Sequence, residues 1–192
     1  MNLPARKATH TVEDVYARLM ASRRGEPVED TLARILSSWF CGEGAMPRWL
    51  GMPPEQFTRM VEHHFPGSDA YMFDALGREV PEVRLDEMAD LHKLLVQSRT
   101  GNSYSELWMA DVLVAGCLGD DHLWQDLGLW SRVDLSHLMK ENFGPLAARN
   151  NKDMKWKKFL YKQLCETEGI YTCRAPSCEV CADYQNCFGP ED

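Results

Sequence analysis

The sequence predicts an all-α protein in which a helical domain is followed by an irregular, cysteine-rich C-terminal tail. Two observations predict the helices. Apolar residues recur at spacings of three and four along most of the chain, and leucine occurs 21 times against two isoleucines. A third observation defines the tail, because four of the seven cysteines fall between Cys173 and Cys187. We therefore expect a helical domain over 9–168 and a metal-binding tail over 169–192.

The first two helices are predicted from apolar stripes and their caps. Apolar residues over 12–20 share one helical face, and Thr11 with Asp14 three residues later has the pattern of a capping box. A second stripe runs over 32–40, and Asp30 is its predicted N-cap.

The remaining elements follow from stripes and breakers. Pro53 and Pro54 open a third helix that ends near Pro66, and the stretch 66–81 is predicted to be a loop between helices. Further helices are predicted around 85–96, 107–116, 121–128, 131–142 and 152–167.

The charge balance excludes some classes of partner. The 192 residues include 21 Lys and Arg against 29 Asp and Glu, a formal net charge of −8. Binding to nucleic-acid phosphates or to an anionic membrane needs positive charge, so neither partner is predicted. No apolar run reaches the roughly 18 residues of a transmembrane helix, and no secretory signal is visible. We expect a cytoplasmic protein.

The tail has the spacing C-x4-C-x2-C-x5-C, formed by Cys173, Cys178, Cys181 and Cys187. An odd number of cysteines in a reducing compartment argues against a disulfide framework. The tail has no apolar periodicity, and ordering it costs on the order of 1–2 kcal/mol per residue. A metal centre held by four thiolates offsets that cost, because metal binding and folding are coupled.

The spacing favours an iron–sulfur cluster and leaves zinc open. Zinc ribbons usually contribute two C-x2-C pairs, whereas this tail has one pair between wider gaps. Wider gaps suit a cluster whose irons take separate ligands, and C-x4-C-x2-C also begins the plant-type ferredoxin pattern.

The chain resembles the NifQ family of nitrogen-fixation accessory proteins, most clearly over 107–191. The stretches that carry the resemblance are DHLWQDLGL at 121–129, MKWKKF at 154–159, QLCE at 163–166, CRAPSC at 173–178 and CFGPE at 187–191. Upstream, PRWLG at 47–51 and HHFPG at 63–67 are similar to the family more loosely.

The resemblance implies a molybdenum carrier. Members of this family are understood to hold a molybdenum-containing iron–sulfur cluster and to supply molybdenum for the iron–molybdenum cofactor of nitrogenase. The implied partners are molybdate and the cofactor-assembly proteins, namely the NifEN scaffold and the iron protein NifH. The four cysteines of the tail are then the expected cluster ligands.

Three histidines, His63, His64 and His122, are candidate outer ligands for a metal or for molybdate. Each also has a structural interpretation. His64 falls on the apolar stripe of the third helix and suits a hydrogen-bonded core histidine, whereas His122 suits the N-terminal turn of a helix.

Cys165 is a candidate fifth sulfur ligand or transfer thiol, or else a small buried residue, while Cys41 and Cys117 are predicted core residues. The lysines at 152, 155, 157, 158 and 162 form a strongly basic stretch. Lys155, Lys158 and Lys162 are predicted to share one helical face. This face is either simply solvated, or a surface that attracts molybdate or an acidic partner.

No enzyme is predicted, because no P-loop, dinucleotide-binding, nucleophile-elbow or H-E-x-x-H motif is present. Two alternatives to the carrier stay open. One is a zinc-stabilised interaction module. The other is an iron–sulfur DNA glycosylase of the endonuclease III type, which ends in C-x6-C-x2-C-x5-C, although the first gap here is four and the net charge is unfavourable.

Overall fold

The computed structural model describes residues 10–68, 73, 76–77, 85–168 and 184–191, with only the backbone described for 85–87 and 167–168. Within these ranges the chain forms α-helices, a 3-10 helix at Arg48–Gly51 and no strand, which confirms the all-α class for the part described. The helices are α1 (Val12–Ala21), α2 (Glu29–Phe40), α3 (Pro54–His64), α4 (Leu85–Gln97), α5 (Tyr104–Cys117), α6 (Leu123–Asp126), α7 (Arg132–Asn142), α8 (Gly144–Ala147), α9 (Trp156–Glu168) and α10 (Tyr184–Phe188).

The predicted capping box of α1 is confirmed. The Thr11 hydroxyl accepts a hydrogen bond from the backbone N–H of Asp14, and the Asp14 carboxylate accepts one from the backbone N–H of Thr11, each at 3.2 Å. These two bonds satisfy N–H groups that have no partner inside the helix.

The prediction that Asp30 caps α2 is wrong. The helix begins one residue earlier, at Glu29, and Asp30 lies inside its first turn. The Asp30 carboxylate binds the guanidinium of Arg34 at 3.0 Å and accepts a hydrogen bond from the hydroxyl of Tyr16. These partners come from within the helix and from α1, so the side chain does not turn back to the helix end.

Two predicted helices are shorter than expected. The stretch 121–128 contains only the four-residue α6, and α9 begins at Trp156 rather than near 152. Asn150 explains the later start of α9, because its side-chain amide donates to the carbonyl of Met154 and accepts from the N–H of Met154, at 2.9 and 2.8 Å. This turn holds Asp153 at a φ of 54°, outside the helical region.

The core is one hydrophobic cluster, to which all the longer helices contribute. Helix α1 packs on α2, and α4 packs on both α5 and α9. An aromatic group lies inside this core, with ring centroids of Trp39, Phe57 and Phe73 between 5.7 and 5.8 Å apart. No helix in the described ranges is long and apolar enough to cross a membrane.

The two predicted core cysteines differ in burial. Cys117 is buried at the end of α5, as expected. Cys41 is the C-cap residue of α2 and packs on the core from its edge, half-buried. Burial, together with the nearby charges of Glu43 and Glu13, raises the pKa of the Cys41 thiol.

The tail is not irregular throughout, because α10 lies within it. The predicted start of the tail at residue 169 and the first three cysteines of the motif lie outside the described residues. Most of the predicted loop over 66–81 lies outside them as well, although Phe73 is described and is fully buried.

Candidate functional site

Cys187 is the predicted metal ligand that falls within the described residues, in α10. Its side chain is half-buried and packs on the hydrophobic core, and its backbone carbonyl accepts a hydrogen bond from the N–H of Lys155 at 2.8 Å. Cys173, Cys178 and Cys181 lie outside the described residues. The structure therefore positions one end of the predicted ligand set, directly against the start of α9.

Arg132 anchors the residues that follow Cys187. Its Nε lies 3.1 Å from a carboxylate oxygen of Glu191, and its two terminal nitrogens each donate to Asp153 at 2.9 Å. The hydrogen bonds and charge of Asp153, together with the charge of Glu191, raise the pKa of Arg132 despite its partial burial. The Glu191 side chain is only 4% exposed, so this ion pair ties the C-terminal segment firmly to α7.

A cleft of about 480 Å³ opens beside α10, and we call it the lysine cleft. It brings together residues that lie far apart in the sequence, namely His122 and three lysines of the basic stretch. The residues around it are Lys155, Lys157, Lys158, His122, Asn186 and Glu191, together with Asp120, Asp121, Leu123 and Gln125. Asn186 is the sequence neighbour of Cys187, so the cleft adjoins the positioned cysteine.

Lys157 does not offer its charge to this cleft. Its ammonium group donates to the carboxylate of Asp126 and to the backbone carbonyls of Gly119 and Asp121, at 3.0 and 2.7 Å for the carbonyls. The Asp126 side chain is 1% exposed. Lys157 thus serves the packing of α9 on the loop before α6, which leaves Lys155 and Lys158 as the cationic side of the cleft.

The predicted common face of Lys155, Lys158 and Lys162 is divided between two cavities. Lys162 lines a second cavity of about 240 Å³, together with Phe188, and lies 3.6 Å from Glu166 in the same helix. Lys155 and Lys158 line the lysine cleft instead, and the side chains of Lys158 and Lys162 are exposed. Each cavity is also lined by one residue of α10, Asn186 in the lysine cleft and Phe188 in the second cavity.

His122 is the N-cap residue of α6, which confirms its predicted place in a helix N-terminal turn. Its backbone N–H donates to the side-chain carbonyl of Gln125 at 3.2 Å, and its Nδ1 lies 3.8 Å from Glu191. His122 also lines the lysine cleft, and its role as a ligand for a metal or for molybdate stays a prediction.

The other two candidate histidines form a separate group with Glu26. One ligand atom from each of Glu26, His63 and His64 lies within 4.8 Å of the other two. His63 Nε2 hydrogen bonds to Glu26 at 2.7 Å, and the hydroxyl of Ser105 donates to the second oxygen of Glu26, also at 2.7 Å. We call these three residues the Glu–His–His group.

His64 is the buried member of this group, with 1% of its surface exposed. Its Nδ1 makes no hydrogen bond and lies 3.5 Å from the carboxylate of Glu29, which is fully buried. Burial lowers the pKa of His64 more than the charges of Glu26 and Glu29 raise it. The prediction of a core histidine is confirmed by its burial, but the expected hydrogen bond is absent at this atom.

Glu26 is a residue that sequence reasoning missed, as is Glu29. Burial raises the pKa of Glu26, but hydrogen bonds from Ser105 and His63 outweigh that effect and lower the pKa overall. Glu26 precedes His63 by 37 positions and lies on the loop before α2, where no periodicity or short motif marks it. Only the packing of α3 and α5 against this loop brings the carboxylate to the histidines.

Cys165 lies half-buried on α9, between Leu164, which packs on the core, and the exposed Glu166. This position is compatible with both of its predicted roles.

Comparison with known proteins gives one consistent result. The family model described as NifQ matches residues 31–189 of this chain. The protein NifQ of Azotobacter vinelandii is 45% identical over 170 residues, which are 83% of this chain and 87% of that protein. The protein NifQ of Rhodobacter capsulatus is 34% identical over 161 residues, again 83% of this chain and 87% of the relative. A NifQ homolog of Sinorhizobium fredii is 35% identical over 158 residues, 82% of this chain and 68% of that protein.

No solved structure matches the chain significantly.

Proposed function

The chain belongs to the NifQ family, and on that premise we propose that it carries molybdenum on an iron–sulfur cluster for assembly of the iron–molybdenum cofactor of nitrogenase. The observation that carries the proposal is the family membership together with the tail spacing C-x4-C-x2-C-x5-C. In this proposal Cys173, Cys178, Cys181 and Cys187 hold the cluster, which is the protein's cargo. Thiolate and sulfide are soft ligands that suit such a centre.

The surroundings of Cys187 support this assignment. A cluster bound by four thiolates carries negative charge, and Lys155 and Lys158 lie in the cleft beside α10. Positive charge near an anionic centre stabilises it and raises the local concentration of an oxyanion such as molybdate. The donor residues present therefore fit the proposed cargo.

In this proposal the chain passes molybdenum to partner proteins and does not catalyse a reaction. We propose that the chain acts in the cytoplasm as a carrier and releases molybdenum to the NifEN scaffold working with the iron protein NifH. A ligand set near the end of the chain suits release, because a terminal segment opens at lower cost than the interior of a core.

The test is metal analysis of protein purified without air. We expect iron, acid-labile sulfide and molybdenum in the purified chain, with an electron paramagnetic resonance signal from the cluster. Replacement of all four tail cysteines by alanine should remove all three, while Cys41→Ala, a half-buried cysteine outside the tail, should retain them.

Unchanged metal content in the fourfold variant would overturn the ligand assignment. A colourless chain that holds one zinc ion and no sulfide would instead support the zinc-stabilised module. Salt-dependent binding to duplex DNA would support the glycosylase, so its absence at low salt removes that alternative.

The lysine cleft leads to a second prediction. We expect Lys158→Ala and His122→Ala to slow the loading of molybdenum from molybdate by up to about fivefold, because each removes one group close to the anion's path. The effect of Lys158→Ala should fade as salt is raised, since the Debye length shrinks. Lys140→Ala is the matched control, an exposed lysine on α7. Equal loading rates in all four proteins at low salt would show that the cleft takes no part.

A further inference from the structure

We propose that Glu26, His63 and His64 bind a divalent first-row transition-metal ion of the zinc or ferrous class, at a site separate from the cysteine tail. The proposal does not depend on the proposed function, because none of these residues belongs to the tail or to the lysine cleft. It assigns a role to two histidines that lie outside the proposed four-cysteine ligand set.

The donor atoms are close enough to share one ion. They lie within 4.8 Å of one another, and His63 Nε2 is 2.7 Å from Glu26. Ligands about 2.0–2.2 Å from a tetrahedral ion lie roughly 3.3–3.6 Å from one another. When the ion binds, His63 and Glu26 therefore have to move slightly apart, and the other pairs of donor atoms have to come closer by up to about an ångström. His63 is half-exposed, and a rotation of its side chain is the movement that the proposal requires.

The buried nitrogen of His64 points to a missing ligand. A buried polar atom is nearly always hydrogen-bonded, yet Nδ1 of His64 has no hydrogen-bond partner while the residue is 1% exposed. It lies 3.8 Å from Glu26 and 3.5 Å from Glu29, so it faces the carboxylates. A metal ion between these groups would give this nitrogen a partner.

Two neighbours hold the carboxylates in place. Ser105 donates to Glu26, and the backbone N–H groups of Arg24 and Gly25 donate to Glu29 at 3.1 and 2.7 Å. Such second contacts orient the ligands of a metal before it binds. The two negative charges of Glu26 and Glu29 balance the charge of a dication in this buried setting.

The chemistry of the donors limits the type of ion. Two imidazole nitrogens and a carboxylate suit zinc, ferrous iron, cobalt or nickel, whereas calcium and magnesium prefer oxygen ligands alone. His63 also lines a cavity of about 560 Å³ with Arg59, Tyr104 and Trp108, which provides a route from solvent. Three protein ligands leave a position open to that cavity.

The experiment measures binding of Zn²⁺ and Co²⁺ to the full chain in which the four tail cysteines are alanine, so that no thiolate of the tail competes. We expect one equivalent of Zn²⁺ to bind, and the Co²⁺ complex to show ligand-field absorption without thiolate charge transfer. Glu26→Gln and His63→Ala should each weaken Zn²⁺ binding at least tenfold, since even the loss of a second-shell contact costs roughly that much.

His92→Ala is the matched control, because His92 is similarly exposed and lies 3.2 Å from a single carboxylate, Asp111. It should leave Zn²⁺ affinity unchanged.

Circular dichroism verifies that each variant is folded. If Glu26→Gln does not fold, His63→Ala provides the test, because His63 is half-exposed. No Zn²⁺ binding by the chain that lacks the four tail cysteines, or equal binding by its His63→Ala variant, would overturn the proposal. If the fourfold variant does not fold, His63→Ala in the wild-type chain must still lose the thiolate-free Co²⁺ absorption.

Discussion

Replacing Asp126 with alanine is expected to lower the free energy of unfolding by about 3–5 kcal/mol, because it leaves a charged lysine without its buried partner. The Asp126 carboxylate is 1% exposed and receives the ammonium group of Lys157, which is 18% exposed. It sits against Gly119, where a Cβ would lie 2.1 Å from the carboxyl carbon. The contact therefore joins α6, the loop that follows α5 and the first turn of α9.

Urea denaturation of the full chain measures this effect. Lys157→Met is expected to be similarly costly, while the double variant Asp126→Ala, Lys157→Met should recover part of the loss, since no unpaired charge remains. The comparison is Lys162→Ala, which removes an exposed pair with Glu166 and should cost about 0.5 kcal/mol or less. An Asp126→Ala protein as stable as the Lys162→Ala protein would refute the assignment of a buried ion pair.

Phe57→Ala is expected to lower the free energy of unfolding by about 3–5 kcal/mol, by lost apolar burial and by the cavity left behind. The Phe57 ring is 1% exposed and makes edge-on contacts with Trp39 and Phe73, at 5.8 and 5.7 Å between centroids. Removing it leaves two other large rings without a common partner, and these rings are too rigid to fill the space.

Thermal and urea unfolding of Phe57→Leu and Val133→Ala provide the controls. The leucine fills part of the cavity and should cost about 1–2 kcal/mol. Val133 is 74% exposed on α7, so its truncation should change stability by no more than about 0.5 kcal/mol. If Phe57→Ala cost no more than Phe57→Leu, the aromatic group would not be the packed centre described here.

Helix positions could be predicted because their causes are local. The box at Thr11 and the proline pair before α3 act within a few residues of the helix that they begin, and both are confirmed. Asp30 was misassigned because its partners include Tyr16, a residue of a different helix. The late start of α9 depends on a side-chain turn at Asn150, which periodicity does not register.

The candidate sites show the same difference between features with local causes and features that depend on tertiary contacts. The four tail cysteines could be predicted as a ligand set because all lie within one short segment, and the family membership supports that interpretation. The basic stretch could be recognised from the sequence, but the distribution of its lysines over two cavities depends on tertiary packing. The contact of Lys157 with Asp126 likewise joins residues 31 positions apart.

By itself the sequence determined the helical class, most helix positions and the spacing of the thiolate motif, since each depends on residues that are neighbours along the chain. Only the tertiary structure decided that Glu26 meets His63 and His64, that His122 faces two lysines beside Cys187, and that His64 keeps a buried nitrogen without a hydrogen bond. The physical reason is that each of these depends on how separate segments pack, and packing joins residues that no local periodicity relates.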